Sequence, residues 1–349
     1  MVTIAAVLPS STDILIPSST TMKTLRLLAA LCVLFPVLSS AVSAQSPDAA
    51  GWPAHPIKLI VTFPPGSSPD LIARMFNDKL GAALGQPVIV ENRPGAGGNL
   101  GTALVAHAAP DGYTMGLTIG GPLAVNTVLY KKLPYDPFRD LEPVVLVAAS
   151  PNVLVVDANL GIGTLQELVA RAKAKPGVLN YGSVGNGSAS HLTMELLKTR
   201  AGIDLVHVPY PGSPQAIAAM VGGQIAAGFV VPATAMPLVK AGRLKALAVT
   251  SAERSPILAE LPTVAEGGFP GFQSTAWIGI VVPAKTAQPV VGRLASELSR
   301  ILGSEEVRGR MAAIYFQASG AGPDALARFM REEVERWGEV IRRTGAKVD

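Results

Sequence analysis

From residue 57 onward the chain alternates between short continuous apolar runs and longer segments with helical spacing. Ile57–Phe63 (IKLIVTF) is apolar almost throughout. That pattern predicts a strand covered on both faces. Ser68-Pro69-Asp70 carries the marks of a helix start: Ser68 as cap, Pro69 in the first turn, Asp70 at the positive end. The predicted helix runs to about Leu84, where Gly85 stops it. Val88–Glu91 predicts the next strand. A glycine-rich loop follows, with Asn99 placed to cap a helix through Ala108. Pro110-Asp111-Gly112 is a turn, Thr114–Ile119 a strand, and Gly120-Gly121-Pro122 opens a short helix.

The pattern continues beyond the polar stretch LPYDPFRD. Val144–Ala149 and Val153–Val156 predict strands, and Thr164-Leu165-Gln166-Glu167 has the capping-box form ahead of a helix to Lys175. Leu179–Ser183 predicts a strand, and GNGSAS leads into a helix to about Arg200. Leu205–Tyr210 predicts another strand, and Ser213-Pro214 starts a helix to Val221. Further strands are expected to end at Phe229–Val231, at Ala246–Thr250 and over Trp277–Val282. The C-terminus is predicted to be helical from Pro323, with Glu332, Glu333 and Glu335 on a solvated face. This alternation is α/β architecture, with mostly parallel sheets and helices on both faces. The length of 349 residues accommodates two such units.

The first 44 residues stand apart. Lys23 and Arg26 precede the apolar run Leu27–Leu38, and Val42-Ser43-Ala44 has the small-residue form of a cleavage site. This reads as a signal peptide with its start at Met22, cleaved after Ala44. The apolar run is short of the ~20 residues that a membrane span needs. Export to the periplasm is expected. Without Lys23, Arg26 and Asp13, 27 basic face 24 acidic residues, a net +3. That balance, with no long basic run, argues against nucleic acid as a partner. The one cysteine, Cys32, lies in the leader, so the mature chain has no disulfide, thiol nucleophile or cysteine-based metal site. No cofactor is expected.

The stretch VENRPGAGGNLGT (90–102) suggests a phosphate cradle, but its spacing fails. A Walker loop needs a lysine, and none is present there. A dinucleotide fingerprint needs a third glycine where Leu100 stands. No acidic residue ends the following strand to hold a ribose. The loop is instead one of five, with FPPGSSPD (63–70), TIGGP (118–122), GSVGNGSAS (182–190) and YPGSP (210–214). Each follows a strand and precedes a helix, offering small residues, free N–H groups and a helix N-terminus. Such loops gather at the carboxyl ends of parallel strands, where anions bind. A cleft for a small carboxylate follows, drawing on Phe63, Pro64, Ser67, Ser68, Asp70, Gly97, Asn99, Thr118 and Gly120. Catalysis has little support. There is no G-x-S-x-G elbow, Ser188 and His191 share one helix face without an orienting acid, and His55, His107, His191 and His207 are scattered.

The order of these segments resembles the Bug (TctC-type) family, the extracytoplasmic receptors of tripartite tricarboxylate transporters. The resemblance rests on WPAHPIKLIVTFPPGSSPDLIAR, LGQPVIVENRPGAGGNLGT, APDGYTMGL, LYKKLPYDPFRDLEPV, LNYGSVGNGSASHL, VHVPYPGS, KAGRLKALAVTSAERSPILAELPTVAEGGFPGF and WIGIVVPAKT, and covers nearly all of the mature chain. It implies a two-lobed, type II-like periplasmic binding protein that closes on its ligand like a hinge. The first lobe would comprise 45–147 and 273–349, and the second 148–272, with crossings near Val144–Ala149 and Gln273–Val282. It implies carboxylate ligands held against the first strand-helix loop, here Phe63–Asp70. From the second lobe it implies Ser183, Asn186, Gly187, Ser188 and His191, then Tyr210, Gly212 and Ser213. It further implies a monomer that docks on membrane permease subunits; a periplasmic sensor, or an enzyme on the same scaffold, are the alternatives.

Two departures bear on the ligand. The family's first loop commonly reads PGG followed by a small polar residue and Asp; here Ser67 replaces a glycine and Pro69 precedes Asp70. Relatives often place Asp-Asn after the strand near Phe229, where this chain has Val230 and Val231. A ligand lacking an amino group is therefore expected, with Val231 at the site.

Overall fold

The computed structural model describes residues 51–255 and 258–344. The signal peptide expected over residues 22–44 lies outside these. Two sheets organise the described chain. The first has the order β11-β4-β10-β3-β1-β2, built from β1 (Ile57–Val61), β2 (Val88–Asn92), β3 (Thr114–Ile119), β4 (Leu141–Pro151), β10 (Thr275–Pro283) and β11 (Gln317–Ala321). The second has the order β7-β6-β8-β5-β9, built from β5 (Val153–Asp157), β6 (Asn180–Ser183), β7 (Val206–Pro209), β8 (Ala227–Val230) and β9 (Leu244–Val249). The chain passes from the first sheet to the second between β4 and β5, and returns between β9 and β10.

Each sheet is sandwiched. On one face of the first sheet Leu59, Phe76, Leu80, Leu294, Leu298 and Met311 form a dry core; on the other Val105, Leu123, Trp277, Leu326, Met330 and Trp337 do so. The second sheet likewise carries two cores, one around Tyr181, Leu197 and Phe229 and one around Ile217, Met220 and Val249. Continuous apolar strands follow from this two-sided covering: all five residues of Val153–Asp157 are buried.

The sheets are mixed rather than mostly parallel. β1 pairs in parallel with β2 and β3, and β6 with β7 and β8. The strands that carry the chain between sheets run the other way: β10 is antiparallel to β3 and β4, and β5 to β8 and β9. A strand entering from the opposite sheet approaches from the carboxyl-end side, so it must run back along its neighbours.

Helix starts follow local chemistry with two corrections. Helix α1 (Ser68–Leu84) has Ser67, not Ser68, at its cap position, and no side chain caps it. Helix α2 (Asn99–Ala106) is capped by Gly98, so Asn99 sits inside its first turn. The short helix α3 (Asn126–Leu129) follows one π-helical turn over Gly121–Val125. In α4 (Leu165–Ala174), Thr164 accepts from the Glu167 N–H, and the Glu167 carboxylate reaches back to the Gly163 N–H. Helices α5 (Ala189–Ala201), α6 (Ser213–Val221) and α7 (Pro232–Lys240) complete the second lobe. Helices α8 (Gln288–Leu302), α9 (Glu305–Ala313) and α10 (Pro323–Thr344) cover the first.

One sequence expectation is overturned in α10. Glu333 is buried, not solvated. Leu326, Met330, Glu333, Trp337 and Ile341 recur at intervals of three and four, so they share the inward stripe. The carboxylate is tolerated there because the Trp277 and Trp337 indole N–H groups donate to it, at 2.9 and 3.1 Å. Arg336 pairs with its other oxygen. Burial, the largest influence, nonetheless holds the Glu333 carboxyl above the ordinary carboxylate range.

Candidate functional site

The cavity between the two sheets has a volume of about 70 Å³. Its floor is the crossing region: Asn152 between β4 and β5, Thr275–Ile278 of β10, and Phe316. Four helix N-termini open onto it. Ser67, Ser68 and Pro69 come from the start of α1, Ala189 and Ser190 from α5, Ser213 from α6, and Val231 from the cap position of α7. Each end carries unpaired N–H groups and about half a positive charge. Phe63, Ile119, Val125, Val184, Val230 and Trp277 supply apolar wall.

Among the described residues, no lysine, arginine or histidine lines the cavity. The one ionisable lining residue among them is Glu333, whose carboxylate is already occupied by two indoles and Arg336. The groups the lining offers an anion are hydroxyls, amides and helix ends. Two side-chain groups are poised for that. The Ser68 hydroxyl and the Asn152 side-chain N–H₂ are buried, line the cavity and have no hydrogen-bond partner among the described residues. Main-chain bonds to Thr250 pin the Asn152 backbone, through N–H to the Thr250 hydroxyl (2.8 Å) and C=O from the Thr250 N–H (2.9 Å). Buried polar groups without partners are rare in proteins, and a ligand is the simplest way to satisfy these two.

The sequence-predicted residues divide into three groups. Phe63, Ser67, Ser68, Gly120, Gly187, Ser213 and Val231 line the cavity. Ser67 nonetheless spends its hydroxyl on the Pro64 carbonyl, at 2.6 Å. Others hold the lining loops in shape. Asp70 accepts from the Gly66 N–H, the Arg74 guanidinium and the Asn92 side chain, at 2.9, 3.0 and 3.0 Å, tying the first loop to β2. Burial opposes the Asp70 charge, but Arg74, Gly66 and Asn92 outweigh it and keep the carboxyl below its ordinary range. Ser188 caps α5, accepting from the His191 N–H and donating to the Gly185 carbonyl. The Asn99 side chain accepts from Asn126 and Tyr135. Thr118 accepts from Thr62 on the far face of β3.

The third group lies at the seam between lobes or behind the wall. Pro64 meets Gly212, and Gly97 meets Asn186. Tyr210 packs beside Gly182 at the edge of the second-lobe core. Ser183 bonds the His207 ring at 2.6 Å, and His207 stacks on both Tyr181 and His191. The His191 Nδ1 accepts from the Gly187 N–H at 3.2 Å, so this buried stack sets the loop that carries Gly187.

Burial, then Lys198, lowers the His191 pKa to about 4; burial, then His191, lowers His207 to about 3. Both rings are neutral in the fold, whereas the unfolded chain takes up protons below about pH 6.5. Stability is therefore expected to fall steadily from pH 6.5 to 4, by up to about 1.4 kcal/mol per pH unit for the deeply buried His191. Urea unfolding at pH 7, 6 and 5 measures this, and the slope shrinks in His191→Gln. A flat profile above pH 4 would show that the rings are charged in the fold.

Comparison with known proteins matches this geometry to a family. Residues 72–346 fit the model of the tripartite tricarboxylate transporter family receptor, TctC. The chain belongs to that receptor family. It is 37% identical to protein BugT of Bordetella pertussis, over 93% of this chain and 98% of the relative. Among solved structures it resembles R. palustris Rpa4515 with adipate (TM-score 0.81, 33% identity, 84% of this chain and 98% of that one). It also resembles MatC (Rpa3494) from Rhodopseudomonas palustris with bound malate (TM-score 0.79, 33% identity, 83% and 100%), and the periplasmic binding protein BugD (TM-score 0.79, 32% identity, 85% and 99%).

Within this TctC receptor, sequence reasoning missed Asn152, Ser190, Thr275, Trp277, Phe316 and Glu333 as lining residues. Ser190 lay inside the quoted GNGSAS loop, so the loop pattern was signal enough for it. Thr275 and Trp277 had a signal in the crossing predicted over Gln273–Val282, because chain that passes between lobes must border the cleft, whereas Asn152 lies three residues past the crossing predicted near Val144–Ala149. Phe316 and Glu333 had none, since only packing brings them there. Among the described residues, no cluster of His, Cys, Asp or Glu is arranged to hold a metal, and no helix is long and apolar enough to cross a membrane.

Proposed function

We propose that this TctC receptor captures a small organic acid without an amino group in the periplasm, closes its lobes on it and delivers it to the membrane subunits of a tripartite transporter. The observation that carries the reading is the pair of unpartnered, buried groups, the Ser68 hydroxyl and the Asn152 amide, in a cavity with no basic wall. Hydroxyl and amide donors beside helix N-termini suit a carboxylate, and they need no arginine. The relatives with adipate and with malate support the acid class. Val230 and Val231 leave no carboxylate beside α7 for a ligand ammonium, and the apolar wall favours an acid with a hydrocarbon or aromatic body. The same donors offer no nucleophile paired with a base, so the bound acid leaves unchanged.

The test is thermal unfolding of the protein, first freed of co-purified ligand by unfolding and refolding, against adipate, malate, citrate, benzoate, glutamate and ATP. A ligand at a hundred times its Kd adds about 2.7 kcal/mol to stability. Adipate or benzoate is expected to raise the midpoint, and glutamate and ATP to leave it unmoved. A shift with glutamate would overturn the absence of an ammonium site. Silence toward every acid would overturn the carboxylate reading.

A further inference from the structure

The glycine-rich loop at 93–99 contributes no donor to the cavity wall, yet it meets the opposite lobe backbone to backbone. A Cβ placed on Gly97 would lie 3.0 Å from the Asn186 carbonyl oxygen, and one on Gly185 would lie 2.7 Å from the Gly97 Cα. A second contact repeats this a few residues away: a Cβ on Gly121 would lie 2.9 Å from the Gly187 carbonyl oxygen. A Cβ on Gly187 would overlap the side-chain oxygen of Asn126. That oxygen is buried and has no hydrogen-bond partner among the described residues.

We infer that these four glycines, Gly97 and Gly121 in the first lobe with Gly185 and Gly187 in the second, are a latch that sets how far the lobes close. Real Cβ atoms essentially never approach other heavy atoms within 3.0 Å, so a single methyl on either side forces the loops apart. Packed surfaces of this kind do not deform smoothly. The same rigid displacement moves the donors of α1 away from those of α5 and α6, because the seam and the cavity wall belong to the same loops: Gly120 adjoins Gly121, and Gly187 itself lines the cavity. A ligand that bridges both lobes then loses the contacts of one. Because the seam is bare backbone, the latch adds little attraction of its own. It permits closure, and the ligand biases the equilibrium through its differential affinity for the closed state. Gly97, Gly185 and Gly187 also have positive φ, of 64°, 113° and 77°, which side chains resist for a separate reason. Gly121 has no such constraint, so Gly121→Ala isolates the seam.

The inference rests on the receptor reading for its ligand arm only. Gly121→Ala is compared with wild type and with Gly292→Ala, whose added methyl meets nothing within 4 Å. The readouts are ligand-free unfolding midpoint, affinity for adipate and benzoate by calorimetry, and radius of gyration by small-angle scattering. Gly121→Ala is expected to keep the ligand-free midpoint, to weaken binding of whichever acid binds wild type by at least about tenfold, and to fail to compact when that acid is added. Gly292→Ala is expected to match wild type in affinity and compaction, with a midpoint raised by the better helix former. Affinity within twofold of wild type together with normal compaction would overturn the latch.

A cross-linking arm needs no ligand. In a Cys32→Ser background, Ala96→Cys with Asn186→Cys places two thiols at the seam for a short bis-maleimide reagent. Adding Gly121→Ala is expected to cut the cross-linked fraction several-fold, and an unchanged fraction would overturn the latch. If wild type binds no acid, the receptor reading fails while this arm still decides the inference.

Discussion

Ser68→Asp is expected to weaken acid binding by at least about a hundredfold while leaving the chain folded. Ser68 is the first residue of α1, and its buried hydroxyl faces the cavity without a partner. An aspartate there is stabilising for the helix itself, because a carboxylate in the first turn complements the helix dipole, by about 0.3–1 kcal/mol. The same charge fills the position that a ligand carboxylate would take. It also uses the local N–H groups and repels a second anion in a cavity with no basic side chain to compensate. Two orders of magnitude correspond to about 2.7 kcal/mol, modest for like charges a few ångströms apart away from water. Calorimetry with the acid that shifts wild type, alongside the ligand-free unfolding midpoint, measures both halves. Retained affinity would place the acid's head group elsewhere in the cleft. A collapsed midpoint would show that Ser68 is structural. Ser68→Ala, which removes one donor and adds no charge, should fall between, at roughly tenfold.

The second large effect is on stability. Trp277→Ala is expected to cost about 4 kcal/mol of unfolding free energy, within the usual range for emptying a buried aromatic site. Trp277 is 2% exposed and sits where β10, α10 and the cavity meet. Its ring packs edge-on against Phe329 at 5.1 Å between centroids. A Cβ on Gly120 would lie 2.5 Å from its indole nitrogen, so the loop between β3 and the π-turn lies directly on the ring. Its N–H donates to Glu333, and truncation leaves that buried carboxylate with one indole fewer. Trp277→Phe keeps most of the packing and loses the N–H, so it should cost roughly 1–3 kcal/mol. Urea unfolding followed by circular dichroism distinguishes the two. A loss under about 1 kcal/mol for the alanine variant would mean that the loop over Gly120 collapses into the vacated space.

Much of this molecule was legible in one dimension. Apolar runs bounded by turn residues located β1, β3 and β5, and Gly85 and Thr164 marked helix ends through chemistry that operates within four residues. The elements that escaped notice depend on distant partners. β11 (QASGA) has no strand-forming run of its own, and forms because β4 offers it an edge. Glu333 looked solvated because its neighbours Glu332 and Glu335 are charged, and only the indoles of Trp277 and Trp337 make its burial tolerable. The opposite directions of β5 and β10 likewise follow from the path between the lobes, which strand spacing does not encode.

The candidate site divides along the same line. The sequence by itself determined which loops follow a strand, that each leads to a helix N-terminus, and that none carries a lysine to grip phosphate, because these are properties of neighbouring residues. Only the tertiary structure decided which groups in those loops remain free. Ser67 and Ser68 are adjacent and chemically alike, yet Ser67 finds the Pro64 carbonyl while Ser68 is left facing the cavity. Asp70 turns back to Gly66, Arg74 and Asn92 rather than toward a ligand. In the loop 93–99, which suggested a phosphate cradle, Gly97 instead meets Gly185 and Asn186 some ninety residues away. Spacing along a chain determines which side chains share a turn. Which donor is already satisfied, and which two backbones touch, depends on atoms brought together from distant segments, and that is settled only when the lobes pack.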